Sequence, residues 1–373
     1  MKTLRAKPSN MGLKKDTYTT DEVRADRGIS DVRHGMRKVE GSIEGDLMLG
    51  DWDDFLQGAL QGTWSNKNLR SGTTLRSYVL EQAFPDLTAA QYRLFFGCSI
   101  SKMKLTIKPG AMVGVSFDIL GQDATAGTVQ AVNSTIAAGT SSPVSYAGGT
   151  ITEGGTPIAY VTGCDINLDN GIGQVGVIGA NTSPATFNGR SSVTGTITAL
   201  FKDLVLLNKF LNETESSLNM TLVDPVGGAF TINLPRIKYT GAEIAPPKDG
   251  ATIMTLPFTA LHDNAISSAA GTTLAISAAS PTTTALTATL TKAVGGSFTS
   301  FITEGFNVGD IITLKNATTP GNNGDWVVSA VTATVLTVIV PVGSTMVAQT
   351  AAAPGSGAGD ISLQSTNIGI SRT

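Results

Sequence analysis

The sequence predicts a mainly β protein in which one β-rich unit, flanked by a single α-helix, occurs twice and is followed by a small all-β C-terminal module. Three observations predict it. The same order of strands, helix and hairpin recurs with the same glycines and β-branched residues. Short apolar runs alternate with polar ones between Gly, Pro and Asn turns along most of the chain. Charge is sparse at 15% of the 373 residues, against roughly 25% in an average soluble domain, while there are 42 glycines. Sparse charge with many small and β-branched residues suits sheets whose surfaces are covered inside an assembly.

The first copy opens with EVRADRGISDV (22–32), read as a strand and matched by DINLDNGIGQV (165–175). Asp26, Gly28, Ile29 and Val32 fall on Asp169, Gly171, Ile172 and Val175, an offset of 143. Next, Val39, Gly41 and Ile43 fall on Val193, Gly195 and Ile197 at an offset of 154, so a loop near 178–188 has grown by eleven residues. Helices are expected in both copies. In DWDDFLQGAL (51–60), Phe55, Leu56, Ala59 and Leu60 share a face, and Asp51, Asp53 and Asp54 fall in the first turn, where carboxylates favour the helix dipole. In FKDLVLLNKFL (201–211), Phe201, Leu204, Val205, Leu207 and Leu211 are expected to do the same. Strands resume at LRSYVLEQ (75–82) and SLNMTLVD (217–224), followed in each copy by a long hairpin, 93–121 and 230–261.

From 265 the chain becomes almost free of charge, with strand-like runs TALTATL, DIITLK and TVLTVIV, and Asn323-Gly324 signals a hairpin ahead of Trp326. The expected organisation is an N-terminal arm (1–18), copy one (19–121), a surface insertion (122–158), copy two (159–264), and a linker with the C-terminal module (265–373).

Chemistry is hard to find. The two histidines, His34 and His262, are far apart, and Cys98 and Cys164 have no metal-ligand spacing and read as buried thiols. GIGQVG (171–176) has the spacing of a dinucleotide loop but continues into VIGANTSPATFNG, which cannot start the helix such a site needs. The arginines and lysine at 24, 27, 33, 37 and 38 alternate with acids and lack interleaved aromatics, which favours ion pairing between subunits over nucleic-acid binding. No catalytic residue, cofactor or metal is expected. The net charge of −3 argues against non-specific binding to nucleic acid or membrane, although 17 of the 26 basic residues precede Pro109. MKTLRAKPSNMGLKKD has no apolar segment of the kind a secretory signal requires, and no run is long enough to span a membrane.

Residues 20–64 resemble the N-terminal region of major tail tube proteins of long-tailed, non-contractile bacteriophages. The motif residues are Glu22, Arg24, Asp26, Arg27, Ile29, Asp31, Val39, Gly41, Ile43, Ala59, Leu60, Gly62 and Trp64. Similarity continues through GTTLRSYVLEQAF, QYRLFFG and LPRIKY to TALHDN near 264. The assembly and repeat motif is thus Arg24, Asp26, Arg27, Gly28, Ile29, Asp31, Val39, Gly41 and Ile43 in copy one, with Asp169, Gly171, Ile172, Val193, Gly195 and Ile197 in copy two.

The resemblance implies a β-sandwich, barrel-forming unit whose sheets join edge to edge between subunits into stacked rings that form a hollow tube. The implied role is that of a structural virion protein, made in the bacterial cytoplasm, whose tube conducts genomic DNA into the host. Implied partners are further copies of itself, a tape measure protein and double-stranded DNA in the lumen, and tail terminator and distal tail proteins at the tube ends, with no membrane. Two units per chain predict a trimeric, pseudo-six-fold ring, the alternative being a hexamer with copy two outside the barrel. The basic arm and WSNKNLRSGTT (64–74) are expected at contacts between stacked rings, and deletion of 265–373 is expected to leave assembly intact. Other classes consistent with the sequence are the inner tube of a contractile tail or secretion machine, favoured by a neighbouring sheath gene, and a β-rich surface adhesin, which needs an export signal.

Overall fold

Period-two burial defines the sheets. Val115, Phe117 and Ile119 are buried while Ser116 and Asp118 are not, and Ile166 and Leu168 flank an exposed Asn167 in the same way. The computed structural model describes residues 2–23, 28–65, 67–131, 136–145, 149–158, 160–247, 249–262, 274–277, 280–281, 286–292, 300–302, 306, 308–315, 317, 319–341, 344–349, 360–363 and 368–372. The fold is mainly β with two α-helices.

The first half contains β1 (Gly12–Thr19), β2 (Val32–Asp46), α1 (Asp53–Leu60), β3 (Asn68–Arg70), β4 (Tyr78–Phe84), β5 (Gln91–Ile107), β6 (Gly114–Gly121) and β7 (Asp123–Gly127). After β8 (Thr150–Glu153) and β9 (Thr156–Pro157) come β10 (Val161–Asp169), β11 (Gly173–Gln174), β12 (Thr186–Phe187) and β13 (Ser192–Leu200). The second half continues with α2 (Val205–Leu211), β14 (Ser216–Val223), β15 (Ala229–Tyr239), β16 (Glu243–Ala245) and β17 (Ile253–Ala260). The remainder contains β18 (Leu274–Ile276), β19 (Ser280–Pro281), β20 (Leu286–Lys292), β21 (Ile311–Lys315), β22 (Gly324–Val331), β23 (Val335–Val340), β24 (Asp360–Leu363) and β25 (Gly369–Arg372).

Two runs of strands repeat one order. β1-β2-β6-β5 is followed in the same sheet by β10-β13-β17-β15, and the two runs are joined by antiparallel pairing of β5 with β10. The registers correspond as well: Leu13 opposite Val39 and Val39 opposite Gly121 match Leu168 opposite Val193 and Val193 opposite Ala260. Gly41 and Gly195 occupy equivalent places for one reason. A Cβ at Gly41 would lie 2.6 Å from Met11 Cα, and one at Gly195 would lie 2.5 Å from the Asp165 carbonyl, so the neighbouring strand passes too close for a side chain.

The long strands change sheet partway. Residues 91–98 of β5 pair with β4 and β7, while residues 99–106 pair with β6. Gly97, at φ +62, sits at the change, as a glycine bulge requires. β15 shifts register between Leu234 and Ile237, around Pro235, which has no N–H to give a ladder.

Several expectations need correction. Among the described residues of the strand expected at 22–32, Val32 alone is in a strand, as the first residue of β2: residues 20–23 and 28–31 lie outside any strand, and Arg24, Asp26 and Arg27 lie outside the described residues. The true counterpart of β10 is β1, so the structural offset is 155 and the Asp-x-Gly-Ile match at 143 is out of register. The arm, placed at 1–18, therefore ends in a strand. The segment 122–158 is no free surface insertion, because β7 extends the sheet of β5 and β8 extends that of β14. α2 buries Leu206, whereas Leu204, Val205 and Leu211 are exposed. Asn323-Gly324 does not form a two-residue hairpin turn. A 3-10 turn at Pro320–Asn322 precedes it, and Asn323 Oδ1 accepts the Ala317 N–H at 2.9 Å.

The largest correction concerns 265–373. β18 and β20 to β24 form a separate seven-stranded sheet with β19, and its core is its own, around Trp326, Phe301 and Leu336. β25, however, returns to the main sheet, lying between β15 and β3 with Ile370 opposite both Ile232 and Leu69. In the first half β7 holds the equivalent place beside β5 and follows β6 after Gln122 alone. The module is thus an insertion between β17 and β25. It docks through Arg70, whose Nη2 lies 2.8 Å from Asp325 Oδ1, and through Asn233 Nδ2 donating to the Gly309 carbonyl at 2.6 Å.

Removing 265–373 should then damage the core, because Ile368 and Ile370 are fully buried. Truncation is expected to cost roughly 3–6 kcal/mol from these two side chains. Excising only 263–366, with a short glycine linker into Ile368, should keep most of that stability. Urea unfolding of the two variants followed by circular dichroism checks the difference.

Candidate assembly interface

One face of the eight-stranded run packs on the core, and the other is a continuous polar surface. Its rows follow from the register. One row runs Ser42, Asp118, Lys102, Asp169, Ser192 across five strands. The next runs Glu44, Ser116, Lys104, Asn167, Thr194, Thr259. Charge on this face is locally neutralised. Lys14 and Lys38 both reach Glu40, at 2.6 and 2.9 Å, and Lys102 reaches Asp169 at 2.9 Å. The second half is richer in threonine, with Thr194 opposite Thr259 and Thr198 opposite Thr255.

The electrostatics follow from these pairs. Hydrogen bonds from Lys14 and then Lys38 hold Glu40 below the usual carboxylate range. Burial alone would raise Asp169, but the Lys102 hydrogen bond, the Gly171 N–H and the Lys102 charge outweigh it and leave its pKa lowered. Cys98 and Cys164 are free and buried, and burial pushes both thiols up to about 12.

The run ends in an open edge at β1, while at the other side β15 continues into β14, β8 and β9 and leaves an open edge at β16. Among the described residues β1 pairs only with β2, and β16 pairs only with β17. Leu13, Ala242 and Ile244 sit half-buried at these two edges. By contrast, the internal junction of β5 with β10 is closed: Met103 lies opposite Leu168 and Leu105 opposite Ile166, all buried. The connection from β10 to β13 also reaches back over the first half. Asn170 Nδ2 donates to the Ala59 carbonyl at 2.8 Å, Asn188 Nδ2 donates to Gln61 Oε1 at 2.9 Å, and Arg37 N–H donates to the Asn181 carbonyl at 2.7 Å.

The motif residues fall into three groups. Val39, Gly41, Ile43, Val193, Gly195 and Ile197 lie on β2 and β13 at equivalent places, the four larger ones in the core. Asp169 and Gly171 form a turn at the end of β10, where Gly171 has φ +55 and donates its N–H to Asp169 Oδ1, with Ile172 half-buried next to it. Gly28, Ile29 and Asp31 lie in the exposed β1–β2 connection, where Asp31 accepts from Arg33 Nε at 2.6 Å. Asp51, Asp53 and Asp54 do not act together. Asp51 precedes α1 and binds Arg5 at 2.6 Å and the Gly139 N–H at 2.9 Å, whereas Asp53 pairs with Arg372 of β25.

Segments expected at ring-to-ring contacts are engaged within the chain. Lys2 donates to the Gly50 carbonyl, Arg5 meets Asp51 and Lys7 meets Asp46. Within 64–74, Trp64 Nε1 donates to the Asp53 carbonyl at 3.1 Å under the Arg372 guanidinium, and β3 is paired with β25. Arg33, Arg37 and Lys38 likewise have partners in their own chain, at Asp31, Asp123 and Glu40. Sequence reasoning missed the two edges because GLKKDTYT carries little apolar alternation and β16 is only three residues long. Among the described residues, no helix is long and apolar enough to cross a membrane.

A family model described as phage tail tube protein matches residues 2–260, ending with β17. No curated protein matches the chain.

The pairing of Glu40 gives a pH dependence. Its folded pKa is lowered, so the stability it supplies is complete above the unfolded value near ~4.3 and is lost as the pH falls through the folded value. Glu40→Gln should therefore lower stability slightly at neutral pH, with the deficit closing as the pH falls below the ordinary carboxylate range. Urea midpoints of both proteins across pH 2–7 measure it.

Proposed function

The chain belongs to the phage tail tube protein family, and from that premise we propose that it assembles into stacked rings forming a hollow, non-contractile tail tube that conducts genomic DNA into the host. The observation that carries this reading is two equivalent strand runs joined inside the chain, with open strand edges at β1 and at β16, the short strand that continues β15 alongside β17. An open edge presents unpaired N–H and C=O groups, and closing a ring of subunits satisfies them without leaving any end exposed. Each chain supplies eight strands to the run, so three chains would supply twenty-four and form a pseudo-six-fold ring.

In this reading the core face packs outward against the helices and the polar face lines the lumen. Phosphate binding strengthens with every unneutralised cation along the path of the nucleic acid. Ion pairs at Glu40 and Asp169, with threonine rows beside them, leave such a lining unable to hold DNA tightly. The tape measure protein would occupy the same channel before ejection, and terminator and distal tail proteins would cap the tube ends. The inserted module projects from the second half as an exterior decoration.

Electron microscopy of the purified full-length chain tests the proposal. Hollow tubes with three chains per ring are expected. Rings of six chains would overturn the trimer, and persistent monomers at high concentration would overturn the tube.

A further inference from the structure

The junction inside the chain is a template for the junction between chains. β10 is hydrogen-bonded to β13 on one side and β5 on the other, whereas its counterpart β1 has β2 on one side and an open edge on the other. β5 likewise has β6 and β10, whereas β16, continuing β15, has β17 and an open edge. The registers fix residue equivalences. Leu105 opposite Val115 corresponds to Ile244 opposite Met254, and Lys104 opposite Ser116 corresponds to Glu243 opposite Thr255. On the other side Asn167 opposite Thr194 corresponds to Gly12 opposite Glu40, and Leu168 opposite Val193 to Leu13 opposite Val39.

Transferring the pairs of Leu105 with Ile166 and of Lys104 with Asn167 gives a definite result. We propose that a second copy of this chain adds its β1 to β16 in antiparallel register, with Met11 opposite Ile244, Gly12 opposite Glu243 and Leu13 opposite Ala242. The proposal rests on the tube reading and specifies its contact.

Three further features agree with this register. First, the side chains brought together on the core face are apolar and incompletely covered in one chain: Leu13, Ala242 and Ile244 border the core that Met103, Leu105, Ile166 and Leu168 fill at the inner junction. Second, the edges differ in charge. The inner junction sets Lys102 and Lys104 against Asp165 and Asp169, whereas the outer one sets Glu243 diagonally against Lys14. The outer joint thus brings Lys14 beside Glu243, an opposite-charge pair of the kind that the inner joint makes between Lys102 and Asp169.

Third, the template covers exposed apolar surface. At the inner junction the β10–β13 connection lies over the end of α1, whose apolar residues are all buried. On α2, Leu204, Val205 and Leu211 are exposed, and the equivalent β1–β2 connection carries Val23 and Ile29, both strongly exposed. In the assembly Val23 and Ile29 would lie over α2 of the neighbouring chain. A cavity of about 450 Å³ beside Lys7, Ser9 and Met11 would, in this register, lie beside the exposed Pro246 and Pro247, which take the places of Ile107 and Lys108 in the first half.

The test is a disulfide between full-length chains carrying Gly12→Cys and Glu243→Cys. A Cβ at position 12 meets nothing within 4 Å, and the native thiols are buried and unreactive. Cα atoms directly opposite in an antiparallel pair are about 4.5–5.5 Å apart, within disulfide reach. Oxidised tubes should give a ladder of chain multiples on a non-reducing gel, and Gly12→Cys with Ala245→Cys, displaced by about 7 Å along the strand, should give none. Tubes in which the 12–245 pair links and the 12–243 pair does not would overturn the register while leaving the tube reading intact. Failure of the unsubstituted chain to form tubes would overturn both. Should the double variant not assemble, hydrogen exchange of the unsubstituted chain decides. Amides of β1 and β16 should gain protection on assembly, and unchanged exchange at either strand would overturn the pairing.

Discussion

The antiparallel pairing of β5 with β10 is the interaction on which the rest of the structure depends. It merges two equivalent four-stranded runs into one sheet with a single core beneath it, so the halves cannot be treated as beads on a string. Strand pairing leaves no backbone group of a central strand unsatisfied, but it transfers the problem to the ends. The edges of β1 and β16 are the counterparts of the two strands joined inside the chain. The assembly proposed above repeats that inner contact between copies.

The return of β25 shows how a whole module can be inserted without disturbing that arrangement. β7 completes the sheet of β5 after one linking residue, and β25 completes the sheet of β15 after an entire module. Lengthening a connection costs little chain entropy, because closure depends only logarithmically on loop length. The insertion is tolerated because both ends of the gap remain strands of the core. Arg372 locks the result by pairing with Asp53 at the start of α1 and lying over Trp64. This ties the end of β25 to a helix in the opposite half of the chain. The Arg70–Asp325 pair then fixes the module itself, at a site where burial lowers the pKa of the guanidinium and the facing carboxylate opposes that effect.

How much of this was legible in the sequence depended on the length scale of the signal. Val39, Gly41 and Ile43 with Val193, Gly195 and Ile197 were read in register because the glycines answer to a close strand approach that both halves share. The neighbouring match of Asp26-x-Gly28-Ile29 with Asp169-x-Gly171-Ile172 was misleading. Turn chemistry after β10 resembles that of an exposed connection, and four similar letters carry no information about which strand precedes them. α1 was legible because Phe55, Leu56, Ala59 and Leu60 all face the core, whereas α2 carries apolar residues on an uncovered side. β25 was illegible for a different reason: GISR is four residues long and becomes a strand only by filling a slot between β15 and β3. Its partners are more than a hundred residues away, beyond the reach of any local pattern.

The charge gradient along the chain follows from the same architecture. Basic residues concentrate in the first half, where Lys14 and Lys38 share Glu40 and Lys102 meets Asp169 on the same face, while 29 acids against 26 bases leave the whole chain at −3. The second half uses threonine in the corresponding rows and needs few counter-ions. β5 and β10 are already paired with each other within the chain, so β1 and β16 are the edges through which the proposed assembly would join copies. Lys102 lies opposite Asp169 at the inner joint, and the proposed outer joint would set Glu243 diagonally against Lys14. Opposite charges on neighbouring strands favour pairing. In the proposed assembly the inner and outer joints therefore share one kind of charge complementarity, although the two halves differ in how many charges they carry.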